Sequence, residues 1–140
     1  MFGEKELNEL YAVEEVCFSG EVSRERFLAE TADPMYITVA EKRGGVIVAF
    51  ALGRVVADEG ELYQIGVLPE FRRQGIAERM LRELLSQMEK RGAAQCFLEV
   101  RSKNGSAAAL YEKCGFEKIS VRRGYYPDDD ALIYRIQLGT

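Results

Sequence analysis

Glu61-Leu62-Tyr63-Gln64-Ile65-Gly66-Val67-Leu68-Pro69-Glu70-Phe71-Arg72-Arg73-Gln74-Gly75-Ile76-Ala77 is the stretch on which the fold turns. Its first half, Glu61–Leu68, is rich in apolar residues and reads as a strand that Pro69 ends. Its second half opens a helix. Ile76, Met80, Leu81, Leu84, Leu85 and Met88 repeat at helical spacing and lay an apolar stripe on one face. Glu78, Arg79, Arg82, Glu83 and Lys90 fill the other face, and Gly92 ends the run. Between strand and helix stand two arginines and a glycine. Free N–H groups at a helix start, the positive end of its dipole and the forked guanidinium donors of Arg72 and Arg73 suit phosphate oxygens. The loop is neither Gly-Lys-Ser/Thr nor Gly-x-Gly-x-x-Gly, so neither common nucleotide loop applies. On these residues alone, an ordinary strand–helix connection with exposed arginines is an equal alternative.

Working outward, Met35–Glu41 and Val46–Val56 read as two further strands. Short turns at Lys42-Arg43-Gly44-Gly45 and Asp58-Glu59-Gly60 make the three an antiparallel meander. Before them, Leu7, Leu10, Tyr11, Glu14 and Glu15 fall at helical spacing, and Ser23 caps a second helix carrying Arg26 and Phe27. After the long helix come a strand at Gln95–Arg101, a helix at Asn104–Cys114 stopped by Gly115, and strands at Phe116–Arg123 and Ala131–Leu138. A turn at Pro127-Asp128-Asp129-Asp130 joins the last two. The order α α β β β α β α β β holds one strand–helix–strand unit, so one parallel crossover is expected inside an otherwise antiparallel sheet. The predicted fold is α+β, a mixed, mostly antiparallel sheet with helices on both faces.

The chain has 140 residues, and one domain spanning 1–140 is expected. Hydrophobic residues make up 47% and charged residues 30%, the balance of a folded globular chain. Nineteen basic against twenty-three acidic side chains give a net charge of −4, which offers no general attraction to nucleic acid or anionic membrane. The longest apolar run, Val46 to Leu52, is far below the roughly 20 residues of a bilayer span. Met1 to Leu10 is acidic and lacks the pattern of a signal peptide. Cys17, Cys96 and Cys114 are odd in number with no Cys-x-x-Cys spacing, which argues against a disulfide framework or a metal site and for core thiols in a reducing cytoplasm. There is no histidine. Proton transfer near neutrality therefore falls to Glu, Asp, Tyr, Cys, Lys or water.

Two side chains stand out for that work. Cys96, Leu98 and Val100 share one face of their strand, and Phe97, Glu99 and Arg101 share the other. A mid-strand carboxylate beside Phe97 is either paired with Arg101 or a neighbouring-strand arginine, the reading the residues alone favour, or is a partly desolvated general base of raised pKa. Tyr111 shares a helical stripe with Ala107, Leu110 and Cys114, which fits either plain packing or a phenolic proton donor. Asn104 reads as a helix N-cap. Tyr125 and Tyr126 sit before Pro127 and read as loop residues, either a binding lip or sheet-edge packing.

Arg72-Arg73-Gln74-Gly75-Ile76-Ala77 resembles the R/Q-x-x-G-x-G/A signature of the GNAT N-acetyltransferase superfamily. Leu98-Glu99-Val100-Arg101-Ser102-Lys103-Asn104, followed by Ala108-Ala109-Leu110-Tyr111-Glu112-Lys113-Cys114-Gly115-Phe116 and by Arg122-Arg123-Gly124-Tyr125-Tyr126, is similar to the branch that acetylates a ribosomal-protein alanine (RimI-type). The likeness spans about residues 61–138. It implies an acyl-CoA N-acyltransferase fold and acetyl-coenzyme A as cosubstrate, with no metal. It also implies that Ile65, Gly66 and Val67, the loop residues Arg72, Arg73, Gln74, Gly75, Ile76 and Ala77, and Asn104 contact the cofactor. Glu99 would be the base, acting through water, and Tyr111 the acid that protonates the leaving thiolate. Phe18, Tyr125 and Tyr126 would line the acceptor site. The implied reaction is direct transfer in a ternary complex to a protein N-terminal α-amine, without a cysteine nucleophile. Alternatives are a small-molecule amine acetyltransferase and a non-catalytic acyl-CoA sensor. A monomer or weak dimer is expected. The N-terminal third departs from the branch. Cys17-Phe18-Ser19-Gly20-Glu21-Val22 replaces its aromatic-proline-tryptophan cluster, and at most Met1–Phe2 remains of its first strand.

Overall fold

A computed structural model describes residues 2–139. Helices α1 (Glu4–Phe18) and α2 (Arg24–Ala32) lead into strands β1 (Tyr36–Arg43), β2 (Val46–Val56) and β3 (Glu59–Val67). A single 3-10 turn at Pro69–Phe71 precedes α3 (Ile76–Lys90). Strand β4 (Gln95–Arg101), helix α4 (Gly105–Lys113) and strands β5 (Glu117–Tyr126) and β6 (Asp129–Gln137) complete the chain. The order matches the expected one. The sheet runs β1-β2-β3-β4-β6-β5, antiparallel throughout except for β3 against β4.

Several boundaries move. Lys42 and Arg43 belong to β1 and Glu59 and Gly60 to β3, so the two hairpin turns shrink to Gly44-Gly45 and Ala57-Asp58. Gly44 and Gly45 both have positive φ, the conformation a two-residue hairpin demands. The predicted closing turn of four residues shrinks to Pro127-Asp128. Tyr125 and Tyr126 are therefore the last residues of β5, not loop residues, because Tyr126 pairs with Asp129 across the hairpin. Phe2 lies in no strand, and Met1 is outside the described residues.

The layers follow from side-chain patterning. Helices α1 and α2 cover one face through Leu10, Val13 and Phe27, which pack on Ile47, Phe50 and Leu52 of β2. The apolar stripe of α3 covers the other face, joined by Tyr111 and Cys114 of α4 and by Cys96, Leu98 and Val100 of β4. Each fully buried aliphatic side chain of that stripe contributes about 1.5–3 kcal/mol of transfer free energy. The face of β4 that carries Glu99 and Arg101 is exposed on the α1–α2 side. That uncovered face borders the opening described next.

Candidate active site

Strands β3 and β4 pair at only three positions, Glu59 with Gln95, Gly60 with Cys96 and Glu61 with Phe97. Beyond them the strands part. The facing edges of residues 62–67 and 98–101 then lack each other as ladder partners, which leaves backbone donors and acceptors for a bound molecule. The resulting cleft holds roughly 1610 Å³. A register shift between Leu52 and Gly53 accompanies the parting and leaves Tyr63 as the extra residue on β3.

At one end of the cleft lies the loop before α3. Arg73 has φ 64° and Gly75 φ 77°. Two left-handed residues in so short a loop turn successive N–H groups to one side, the geometry of an anion-binding concavity. No side chain caps α3, so its first-turn N–H groups are left for a ligand. A side chain at position 75 would be strained, and its Cβ would stand 3.3 Å from Arg79 Nη1. These features fit a pyrophosphate. Arg73, Gly75, Ile76 and Ala77 line the cleft; Gln74 does not, and its carbonyl accepts from Arg79 Nη1 at 3.1 Å. Arg72 lines it too, but its Nε donates to the Val67 carbonyl at 2.8 Å. That guanidinium braces the end of β3 rather than projecting freely towards the loop amides.

Ile65 and Val67 send their side chains into the main core, as expected if only their backbone meets a ligand. Gly66 is small for a packing reason. A Cβ there would lie 3.0 Å from Cys17 Sγ and 3.1 Å from the Phe18 ring, so the last turn of α1 sits directly on the β3 backbone. Cys17 is consequently no core thiol; it is half-buried on the cleft wall and donates to the Val67 carbonyl at 3.4 Å. Burial outweighs the nearby Arg72 charge and pushes its thiol up from the usual range.

Glu99 and Tyr111 both line the cleft. Glu99 is not held by Arg101. Its partner is Arg122, at 3.6 Å, from the far strand β5. The pair is loose and solvated, with 36% of the Glu99 side chain and 58% of Arg122 exposed, so water reaches the carboxylate. Tyr111 is buried against Phe116 and Tyr134 with ring centroids 5.9 and 6.3 Å away. Desolvation pushes its phenol up to about 12. Asn104 caps α4 by accepting from the Ala107 N–H at 3.3 Å, and it also lines the cleft.

Another part of the cleft lining is aromatic. Phe18, Tyr125 and Tyr126 all reach it. Tyr125 and Tyr126 meet edge to face at 5.0 Å. Arg122 lies 5.6 Å from the Tyr125 ring and Arg101 3.9 Å from the Tyr126 ring. Burial raises the Tyr126 phenol, helped by the neighbouring Glu99 charge and opposed by Arg101.

Sequence reasoning missed a third polar group, Glu14 with Gln64, buried between α1 and β3. The signal was present. Glu14 lies seven residues after Leu7 and four after Leu10, on the stripe that should be apolar.

The sequence model of the Acetyltransferase (GNAT) family matches residues 5–116. Among known proteins, the [Ribosomal protein bS18]-alanine N-acetyltransferase of Escherichia coli K12 is 41% identical over 106 residues, 76% of this chain and 72% of that one. The N-alpha-acetyltransferase RimI of Mycobacterium tuberculosis is 39% identical over 115 residues, covering 79% and 71%. The crystal structure of the ribosomal-protein-S18-alanine N-acetyltransferase from Escherichia coli superposes with a TM-score of 0.89 at 34% identity, covering 99% of this chain and 92% of that one.

Proposed function

The chain belongs to the GNAT acetyltransferase family, and from that premise we propose that it acetylates the N-terminal α-amine of a protein, an alanine of a ribosomal protein being the reading its relatives favour. It is an acetyl-CoA-dependent N-acetyltransferase. The observation that carries the finer reading is the cleft itself. One opening joins an anion-binding loop, a water-accessible carboxylate, a buried phenol and an aromatic wall.

Acetyl-coenzyme A supplies the activated acetyl group. The backbone edge of residues 65–67 and the amides of Arg73, Gly75, Ile76 and Ala77 hold and orient it. An α-amine arrives largely protonated near pH 7, since its pKa is about 7.7–8.0. Glu99 takes that proton through a water. The amine nitrogen then forms its bond to the acetyl carbon, the carbon–sulfur bond breaks, and Tyr111 gives its phenolic proton to the departing thiolate; the second proton that the nitrogen sheds as it becomes an amide passes to water and replaces the one Tyr111 gave up. A phenol at about 12 remains protonated across the working range. The same desolvation that raises it also destabilises a thiolate beside it, so the two proton affinities move together. Tyr125, Tyr126 and Phe18 wall the acceptor chain.

Intact-mass analysis of a panel of N-terminal peptides, incubated with acetyl-coenzyme A and the protein, tests the reading. The expected product is a single added acetyl group on the α-amine of an alanine-initiated peptide, lost with Glu99→Gln. Acetylation of small amines only, or full turnover by Glu99→Gln, would overturn it.

A further inference from the structure

Glu14 is completely buried, and among the described residues no salt bridge includes it. Its Oε2 accepts from the Val22 N–H at 3.3 Å and from Gln64 Nε2 at 3.2 Å. Its Oε1 and the Oε1 of Gln64 have no hydrogen-bond partner among the described residues. Burying an acceptor without a full set of donors costs free energy that a leucine at the same position would avoid. Stability therefore does not account for a carboxylate on the apolar stripe of α1.

Its two donors belong to the two sides of the cleft. Val22 ends the turn between α1 and α2, whose neighbours Phe18 and Glu21 line the acceptor end. Gln64 belongs to the parted segment of β3, two residues before Gly66 and next to Ile65. Cys17 and Phe18, at the end of α1, rest on β3 at Gly66, but residues 19–22 beyond them have few ties to the strand. Ser19 and Gly20 are both left-handed, and the turn's backbone bonds, Ser19 N–H to Glu15 O and Glu21 N–H to Phe18 O, stay within the turn and the end of α1.

We infer that Glu14 is a positioning residue: through one carboxylate it sets the spacing between the Phe18–Glu21 wall and strand β3, and so tunes acceptor binding independently of acetyl-coenzyme A binding. This rests on the reading of that wall as the acceptor site. Neither Glu14 nor its oxygens line the cleft, so it acts through Val22 and Gln64.

The test compares wild type, Glu14→Leu and Glu14→Gln. It reads KM for the acceptor, kcat, and the Kd of acetyl-coenzyme A by calorimetry. Stranding the Val22 N–H in Glu14→Leu should raise acceptor KM about tenfold. The Kd of acetyl-coenzyme A should stay within about twofold, and Glu14→Gln, which keeps an oxygen for Val22, should recover most of the loss. An unchanged acceptor KM, or a parallel loss of acetyl-coenzyme A affinity, overturns the inference. Should Glu14→Leu fail to fold, Glu14→Met, which removes the same acceptor with a more adaptable side chain, must give the same split. The acceptor reading fails separately, in the wild type. If wild type acetylates some amine other than an N-terminus, the split is read with that amine. If it acetylates none, hydrogen exchange decides: the Val22 amide must exchange faster in Glu14→Leu, and equal exchange overturns the inference.

Discussion

Arg101 lies 3.9 Å from the ring centroid of Tyr126, held there by Asp128, whose Oδ1 accepts from Arg101 Nη1 at 2.9 Å. The arginine therefore links β4 to the tip of the β5–β6 hairpin. Two more bonds strengthen the same junction: Ser102 Oγ donates to Asp129 at 2.6 Å, and the Lys103 N–H donates to Asp129 at 2.9 Å. The tyrosines of the cleft are thus placed by polar groups at, and just beyond, the end of the strand that also carries Glu99.

Replacing Arg101 by Gln removes the cation over the ring and the grip on Asp128. The contact is partly exposed, so stability should fall by no more than about 1 kcal/mol. Acceptor KM should rise several-fold, by about the factor 5 that such an energy corresponds to, while KM for acetyl-coenzyme A holds. Steady-state kinetics with each substrate varied in turn, beside a urea titration, checks both halves.

Tyr111→Phe deletes one hydroxyl, on a side chain that lines the cleft, that makes no hydrogen bond among the described residues, so packing against Phe116 and Tyr134 is retained. The urea midpoint should barely move. If the phenol supplies the proton for the thiolate, kcat should fall by about 10²-fold or more. A single-turnover release of free thiol separates this loss from any change in binding.

Gly53 offers a sharp packing test. A Cβ there would stand 2.5 Å from Met88 Cε and 2.8 Å from the Glu61 carbonyl, and the second contact is backbone that cannot swing aside. Gly53→Ala should destabilise by about 1–3 kcal/mol through overpacking. Gly44 and Gly45 have open space around them, so Ala at either is strained only through its positive φ. Equilibrium unfolding of the three variants should rank Gly53→Ala as the most damaging.

Alkaline pH should unfold the protein early. Burial holds Cys96 and Tyr111 up to about 12, and burial together with its bond to Glu112 holds Tyr134 there as well. All three carry a folded pKa above the ordinary one, about 8.5 for a thiol and about 10 for a phenol. In the window between, the unfolded chain has released the proton and the folded chain retains it. Stability is therefore fully present below about pH 8.5 and falls progressively towards pH 12. Urea midpoints measured from pH 8 to 11 should decline monotonically, with the part of the ultraviolet tyrosinate signature that belongs to Tyr111 and Tyr134 appearing only as the protein unfolds.

Element order was legible because period-two and period-3.6 patterns are local, and residues 76–88 state theirs in one helix. The loop before α3 was legible as a candidate anion site for the same reason, a glycine and two arginines at a strand–helix junction. What escaped was the pairing of polar side chains across long separations. Arg101 and Arg122 sit in equally plausible places in the sequence, and only the strand order β4-β6-β5 brings Arg122 to Glu99 and turns Arg101 to Asp128. The tyrosines read as loop because Pro127 looks like the start of a four-residue turn, whereas the backbone pairing, interrupted over residues 123–125, resumes at Tyr126 with Asp129. Glu14 was visible as an anomaly of its stripe, but its meaning depends on Gln64, fifty residues away.

The three-residue seam between β3 and β4 has a mechanical consequence. Strands β1–β3 and β4–β6 form two plates stitched along a short margin, and whatever lies in the gap works as a filling strip between them. With acetyl-coenzyme A in that gap, as proposed, the cosubstrate would be structural material as well as reagent: its arrival should stiffen the joint and protect amides on both plates, and its departure as free coenzyme should loosen them again. Such a chain would be most rigid when loaded, its turnover tied to a cycle of mending and reopening its own sheet.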